Sequence, residues 1–192
     1  MTTFTLDLNP IGSLTEEAFY QLCQRNPDLK LERSAQGDLV IMPHTGGESG
    51  RRNADIMIDL GLWNRQTQRG YTFDSSTCFK LPNGAERSPD AAWIAKDRWE
   101  ALSQDDRAKF PPIAPDFVIE LRSFSDRLEV LQAKMREYQE NGVVLGWLIN
   151  PHDRQVEVYR RGQPVEVLDQ PNTVSGEAIL PGFILDLNRI FQ

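Results

Sequence analysis

Cysteine and histidine are both scarce. The chain of 192 residues carries Cys23 and Cys78, and His44 and His152, and no others of either type. Two isolated cysteines make neither a disulfide framework nor a CxxC metal knuckle, and they fit a reducing compartment. Neither histidine has a partner at HxxxH spacing or falls in a legible Ser/His/Asp pattern, and the polar flanks of both read as loop, so histidine-ligated zinc and a serine triad are discounted. No apolar run approaches the roughly 18 residues of a membrane span. The opening MTTFTLDLNPIGSLTEEAF lacks a positive start followed by an apolar stretch, so a secretory signal is not expected and a cytoplasmic location is. There is no GxGxxG or P-loop, because Gly46-Gly47 precedes an acid rather than Gly-Lys-Ser/Thr. A basic excess is missing too. With 28 Asp and Glu against 21 Lys and Arg, the net charge is −7, which speaks against a generic nucleic-acid binder and leaves room only for local contact.

What remains is an ordinary globular composition, 40% hydrophobic and 26% charged, in a chain long enough to bury a core. One domain spanning 1–192 is expected. Ser13 or Thr15 can cap a helix that ends by Asn26-Pro27. Residues 29–42 read as a hairpin turning at Gln36-Gly37-Asp38, and residues 49–68 as a helix with Ile56, Met57, Leu60 and Trp63 on its packing face. Residues 71–81 read as one strand. Pro89–Ala95 and Pro115–Leu121 are two more, separated by a short helix within RWEALSQDDRAKF and the Pro111-Pro112 breaker. A helix over 125–141 stopped by Gly142, a buried strand from Gly146, and a hairpin turning at Arg161-Gly162 complete an α/β order with a mixed sheet.

The chemistry-bearing residues are carboxylates at strand positions. Asp116 and Glu120 share a strand face but lie about 13 Å apart, too far to hold one metal ion. If the strands at 90–96 and 116–122 are antiparallel neighbours, Asp90 falls beside Glu120 and Asp116 is left at the far end. Two carboxylates at a sheet edge suit Mg²⁺, which takes oxygen ligands, keeps several waters and works with substrate phosphates. The competing reading is structural: Asp90 capping a turn and Glu120 in an ion pair. On the following helix Leu128, Leu131, Met135 and Tyr138 make the apolar stripe, with Lys134 at its margin, able to lean over the sheet edge or merely to snorkel. Glu48 shares a helix side with Arg52, Asp55 and Asp59, and by periodicity alone is a helix-start acid.

Taken together, Glu48, Ser88-Pro89-Asp90, Pro115-Asp116-Phe-Val-Ile-Glu120-Leu-Arg-Ser123, Lys134-Met-Arg-Glu-Tyr138 and Gly142-Val-Val-Leu-Gly-Trp-Leu-Ile-Asn-Pro151 resemble the bacterial Uma-two family. That family is a domain of unknown function grouped with the PD-(D/E)XK restriction-endonuclease-like superfamily. The likeness runs over nearly the whole chain; single motifs such as PD are weak, and their order and spacing are specific. It implies a restriction-endonuclease-like mixed sheet with an αβββαβ core flanked by helices, plus N- and C-terminal hairpins. It further implies divalent-metal-dependent cleavage of nucleic acid, DNA above all, with Mg²⁺ or Mn²⁺ as cofactor.

By that resemblance the catalytic residues are Glu48, Asp90, Glu120 and Lys134, with Asp90 and Glu120 as metal ligands. The chain departs from the pattern two residues after Glu120, where Arg122 stands. An arginine holds a phosphate but is a poor base, so Arg122 is expected to bind substrate and Lys134 to supply the lysine. The main alternative is a nuclease-like fold that no longer cuts and serves as a nucleic-acid or protein binding module. A sugar- or phosphate-ester hydrolase is a third reading. Arg51, Arg52, Arg65, Arg69, Lys134 and Arg136 are expected to supply a local positive rim. Four tryptophans and the edge of the C-terminal hairpin leave a homodimer open.

Overall fold

A computed structural model describes residues 3–8 and 10–192, which form two main sheets, a two-stranded ribbon and five helices. The chain opens with β1 (Phe4–Leu6) and α1 (Glu16–Arg25). Of the two candidate caps, Thr15 is the one used: its hydroxyl accepts from Ala18 N at 3.2 Å, with Glu16 and Glu17 in the first turn. The N-terminal hairpin follows as β2 (Lys30–Arg33) and β3 (Leu39–Met42), its turn closed by Ser34 Oγ, which accepts from Gln36 N and Asp38 N. Next comes α2 (Gly47–Thr67), which buries Ile56, Leu60 and Trp63 as the periodicity requires.

The expected strand over 71–81 is instead two strands in two sheets. β4 (Gly70–Asp74) joins one sheet and β5 (Phe79–Lys80) the other. The break is local chemistry: Asp74 Oδ1 accepts from Ser76 N at 3.1 Å, an Asx turn that redirects the chain. β6 (Glu86–Arg87) and β7 (Ala91–Ala95) follow. The single helix expected within RWEALSQDDRAKF is also two, α3 (Lys96–Glu100) and α4 (Gln104–Ala108), because Ser103 caps afresh by accepting from Asp106 N. The rest is β8 (Phe117–Leu121), α5 (Leu128–Glu140), β9 (Leu145–Asn150), β10 (Gln155–Arg160), β11 (Glu166–Asp169), β12 (Thr173–Ser175) and β13 (Ile184–Asp186).

The larger sheet has the order β11-β10-β9-β8-β7-β4, and only β8 and β9 are parallel, joined by the α5 crossover. The run α2-β4-β7-β8-α5-β9 is the αβββαβ core that the resemblance implies. One face of this sheet packs Phe117, Ile119 and Leu121 with α2; the other packs Val118 and Leu148 against Met135 and Tyr138 of α5. Gly146 lets α5 settle close, since a Cβ there would stand 2.6 Å from Met135 Cε and 3.3 Å from Val118 Cγ2. The smaller sheet, β1-β3-β2-β6-β5, closes over Phe19 of α1 with Leu31 and Cys78. Trp63, Trp93 and Trp147 are buried and Trp99 packs on the second core, so the tryptophans are spent inside the fold.

Candidate active site

The register of β7 against β8 pairs Ala91 with Ile119 and Ala92 with Val118, and one step further puts Asp90 beside Glu120. The main chain fixes that step, with Leu121 N donating to Asp90 Oδ2 at 2.9 Å. Asp116, at the other end, accepts from Ala95 N at 2.8 Å and from Arg98 at 2.7 Å. The acid left out by the spacing argument is therefore a structural one.

The facing wall comes from α5, which presents Lys134, Glu137 and Tyr138 at positions i, i+3 and i+4. Lys134 Nζ stands 2.8 Å from Glu120 Oε1 and 2.8 Å from Glu32 Oε1. Tyr138 OH donates to Glu120 Oε1 at 3.0 Å. Glu32 reaches in from β2 of the smaller sheet, accepting from Ser88 N at 2.8 Å and from Arg87, whose Nε donates to Glu137 at 2.5 Å. Glu32 and Glu120 are almost wholly buried.

One ammonium thus serves two buried carboxylates, and they divide it unequally. Glu32, despite its burial, is held below the usual carboxylate range by Lys134, Arg87 and the Ser88 N–H. Glu120 is pushed up to about 7: burial dominates, Lys134 opposes it, and the neighbouring charges of Asp90 and Glu32 add to it. Lys134 is raised in turn, because the attraction of two carboxylates outweighs its own desolvation, and it stays protonated. Such a lysine donates and does not act as a base.

Above these charges opens a cavity of about 650 Å³. Asp90, Glu120, Glu32 and Lys134 line its base; Met42, Pro43 and His44 line one wall, and exposed Phe124 and Val130 stand at the rim. A hard cation finds oxygen donors there. Asn53 of α2 lines the same cavity and turns Nδ2 toward Asp90 Oδ1 at 3.4 Å, while its Oδ1 is buried without a donor. An orphaned acceptor of this kind costs about 1–3 kcal/mol unless something occupies it. Among the described residues no three His, Cys, Asp or Glu side chains gather as a metal cage. The protein's share would be the carboxylates of Asp90 and Glu120, with solvent supplying the rest, which fits Mg²⁺ or Mn²⁺.

The structure therefore brings Asp90, Glu120 and Lys134 together and leaves two expected residues outside. Glu48 is exposed and pairs with Arg51 at 3.4 Å, off the cavity lining. Arg122 bonds to Asp153, Asn150 and the carbonyl of Asp126, bracing a loop beside the cavity. Of the six cations expected at a local positive rim, Arg51 is tied to Glu48 and Asp55, Arg52 donates to Gln192 O and Lys134 is inside, while Arg65, Arg69 and Arg136 are exposed and off the cavity lining. Glu32, Arg87 and Asn53 went unpredicted and carried no signal in the sequence, since their roles arise where separate elements dock. Tyr138 was counted only as apolar; its hydroxyl was the available hint.

Set against family models, residues 16–188 match Uma2, described as "Putative restriction endonuclease". The chain belongs to the Uma2 family. A solved structure from Anabaena variabilis, described as a "putative nuclease belonging to DUF820", superposes with a TM-score of 0.71 at 20% identity, over 84% of this chain and 89% of that one. At that identity the likeness shows the fold, which in the Uma2 chain is nuclease-like. None of the curated proteins matches. Among the described residues no helix is long and apolar enough to cross a membrane.

Proposed function

We propose that the chain is a divalent-metal-dependent endonuclease that hydrolyses phosphodiester bonds of nucleic acid, DNA in the first instance. The observation that carries this is Lys134 Nζ at 2.8 Å from both Glu120 and Glu32, at the base of an open cavity beside Asp90. Asp90 and Glu120 would hold Mg²⁺ or Mn²⁺, with the Asn53 amide beside Asp90. A cation bound there supplies Lewis-acid polarisation of the phosphate and a more acidic water. Lys134, fixed by two carboxylates and kept protonated, orients the attacking water and steadies charge on the phosphate oxygens. Tyr138 and Glu32 hold the two ends of that arrangement. Cytoplasmic location belongs to the same reading, as does a homodimer, which would use exposed Val165 and Val167 at the outer strand β11.

The test is cleavage of plasmid and single-stranded DNA in Mn²⁺ by the wild type, Asp90→Asn, Glu120→Gln and Lys134→Met, beside calorimetric titration of Mn²⁺. The two acid variants should lose metal binding and cleavage together. Lys134→Met should lose about 100-fold in rate at saturating Mn²⁺, the scale of removing one charge-stabilising donor, with its metal affinity weakened by the proton that Glu120 then retains. Equal cleavage by all four proteins would assign the activity to a contaminant. Nucleic-acid binding with no cleavage would favour the inert binding module.

A further inference from the structure

We propose that the cavity receives an unpaired strand, and that Phe124 stacks on a nucleobase at its rim. This rests on the nucleic-acid reading of the site. Phe124 is 91% exposed, an aromatic ring left outside a fold that buries most of its others. Its place is not loose. Ser123 N donates to Asp126 Oδ2 at 2.9 Å, Asp126 N donates to Ser123 O at 3.2 Å, and Arg122 Nε donates to Asp126 O at 3.3 Å. That pinned turn stands between β8, which carries Glu120, and α5, which carries Lys134. The ring lines the same cavity as both, and it makes a T-shaped contact with His152 at 5.6 Å between ring centres.

Charge argues for bases rather than backbone. Of the cations lining the cavity, Arg87 and Lys134 are bound to Glu32, Glu120 and Glu137, which leaves Lys30 among the described residues. A chain of net charge −7 with so few free cations at its cavity has little besides a bound divalent cation with which to draw phosphates. A duplex keeps its bases stacked on each other and offers chiefly its backbone. An unpaired strand offers base faces, and stacking on an aromatic ring tolerates any sequence. Arg122 is a positioning residue in this account, bracing the turn that presents the ring.

The experiment measures binding of labelled single-stranded DNA, the same sequence in RNA, and the DNA duplex, by anisotropy in Ca²⁺. Phe124→Ala should weaken single-strand binding about 5- to 100-fold with an unchanged melting temperature, and Phe124→Trp should restore it. A 2-aminopurine in the strand should be quenched by the wild type and not by Phe124→Ala. A strand abasic at the stacked position should bind the wild type as weakly as Phe124→Ala binds the intact strand. The DNA and RNA arms show which sugar the groove accepts. The salt slope for the wild type should be shallower than about −2, the value for some three phosphates on a single strand. Equal affinities of wild type and Phe124→Ala for both strands, or preference for duplex, would overturn the proposal. Phe124-dependent binding without cleavage would refute the catalytic reading alone; cleavage without Phe124 dependence would refute the stacking alone.

Discussion

Replacing Lys134 with methionine keeps the side chain's bulk against α5 and deletes the charge that two buried acids share. In the wild type, Glu120 sits at about 7 against an ordinary value near 4.5. Between those values the folded chain keeps a proton that the unfolded chain has released, so stability falls as pH rises through the window. At about 1.4 kcal/mol per pH unit this amounts to roughly 3 kcal/mol, complete by neutral pH. Glu32 has the opposite sign: held low, it stabilises the fold above its ordinary value, and that contribution fades only as pH falls. In Lys134→Met, Glu120 loses its nearest opposing charge while Asp90 and Glu32 remain, so its folded value climbs beyond 7. At pH about 6 it escapes by holding its proton, and the variant's deficit stays below the roughly 3–5 kcal/mol of a broken buried pair. From about pH 7 to 8.5 the deficit should widen by up to ~1.4 kcal/mol per pH unit, or about 2 kcal/mol in all. Urea unfolding followed by tryptophan fluorescence, with buried Trp93 and Trp147 as reporters, measures it. A deficit constant from about pH 6 to 8.5 would refute the idea that Lys134 is what allows Glu120 to ionise.

Two further outcomes follow from the geometry. Asp116→Ala removes the acceptor of Ala95 N and the partner of Arg98, and should cost about 1–3 kcal/mol in urea unfolding while leaving Mn²⁺ affinity unchanged; lost metal binding in a folded variant would move the site to the other end of β8. Gly70→Ala should destabilise by more than about 2 kcal/mol, because a Cβ there would lie 2.1 Å from Ile94 O, a backbone atom that β4–β7 pairing holds in place; a melting temperature within a degree of wild type would show that the strands can part at little cost.

Local signals in the sequence carried much of the fold. Capping chemistry, the apolar spacing of α2 and α5 and the turn glycines act within a few residues, and they located α1, α2, α5 and both hairpins, while the α3–α4 pair read as one helix. The same signals failed over 71–81, where aromatic and Thr content reads as one strand although Asp74 turns the chain from one sheet to the other. At the candidate site, the juxtaposition of Asp90 and Glu120 was legible because a two-residue period and an assumed antiparallel pairing suffice to place them. Lys134 was legible from its position at the margin of a stripe. Glu32 was not: on a short strand its charge reads as solvent-facing, and only the docking of the smaller sheet against α5 buries it beside Lys134. The resemblance pointed to Glu48 and Arg122, whose side chains this chain ties to Arg51 and to the 123–126 turn.

Lys134 touches β8 through Glu120 and β2 through Glu32, so a single side chain on α5 rivets strands from two different sheets. None of the three elements holds the charge arrangement alone, and no two of them do. A chain emerging during synthesis has β2 long before α5, and its acids stand apart until the last of the three arrives. The arrangement is thus a readout of complete folding: a nascent or half-docked protein carries all three residues and none of their shared geometry.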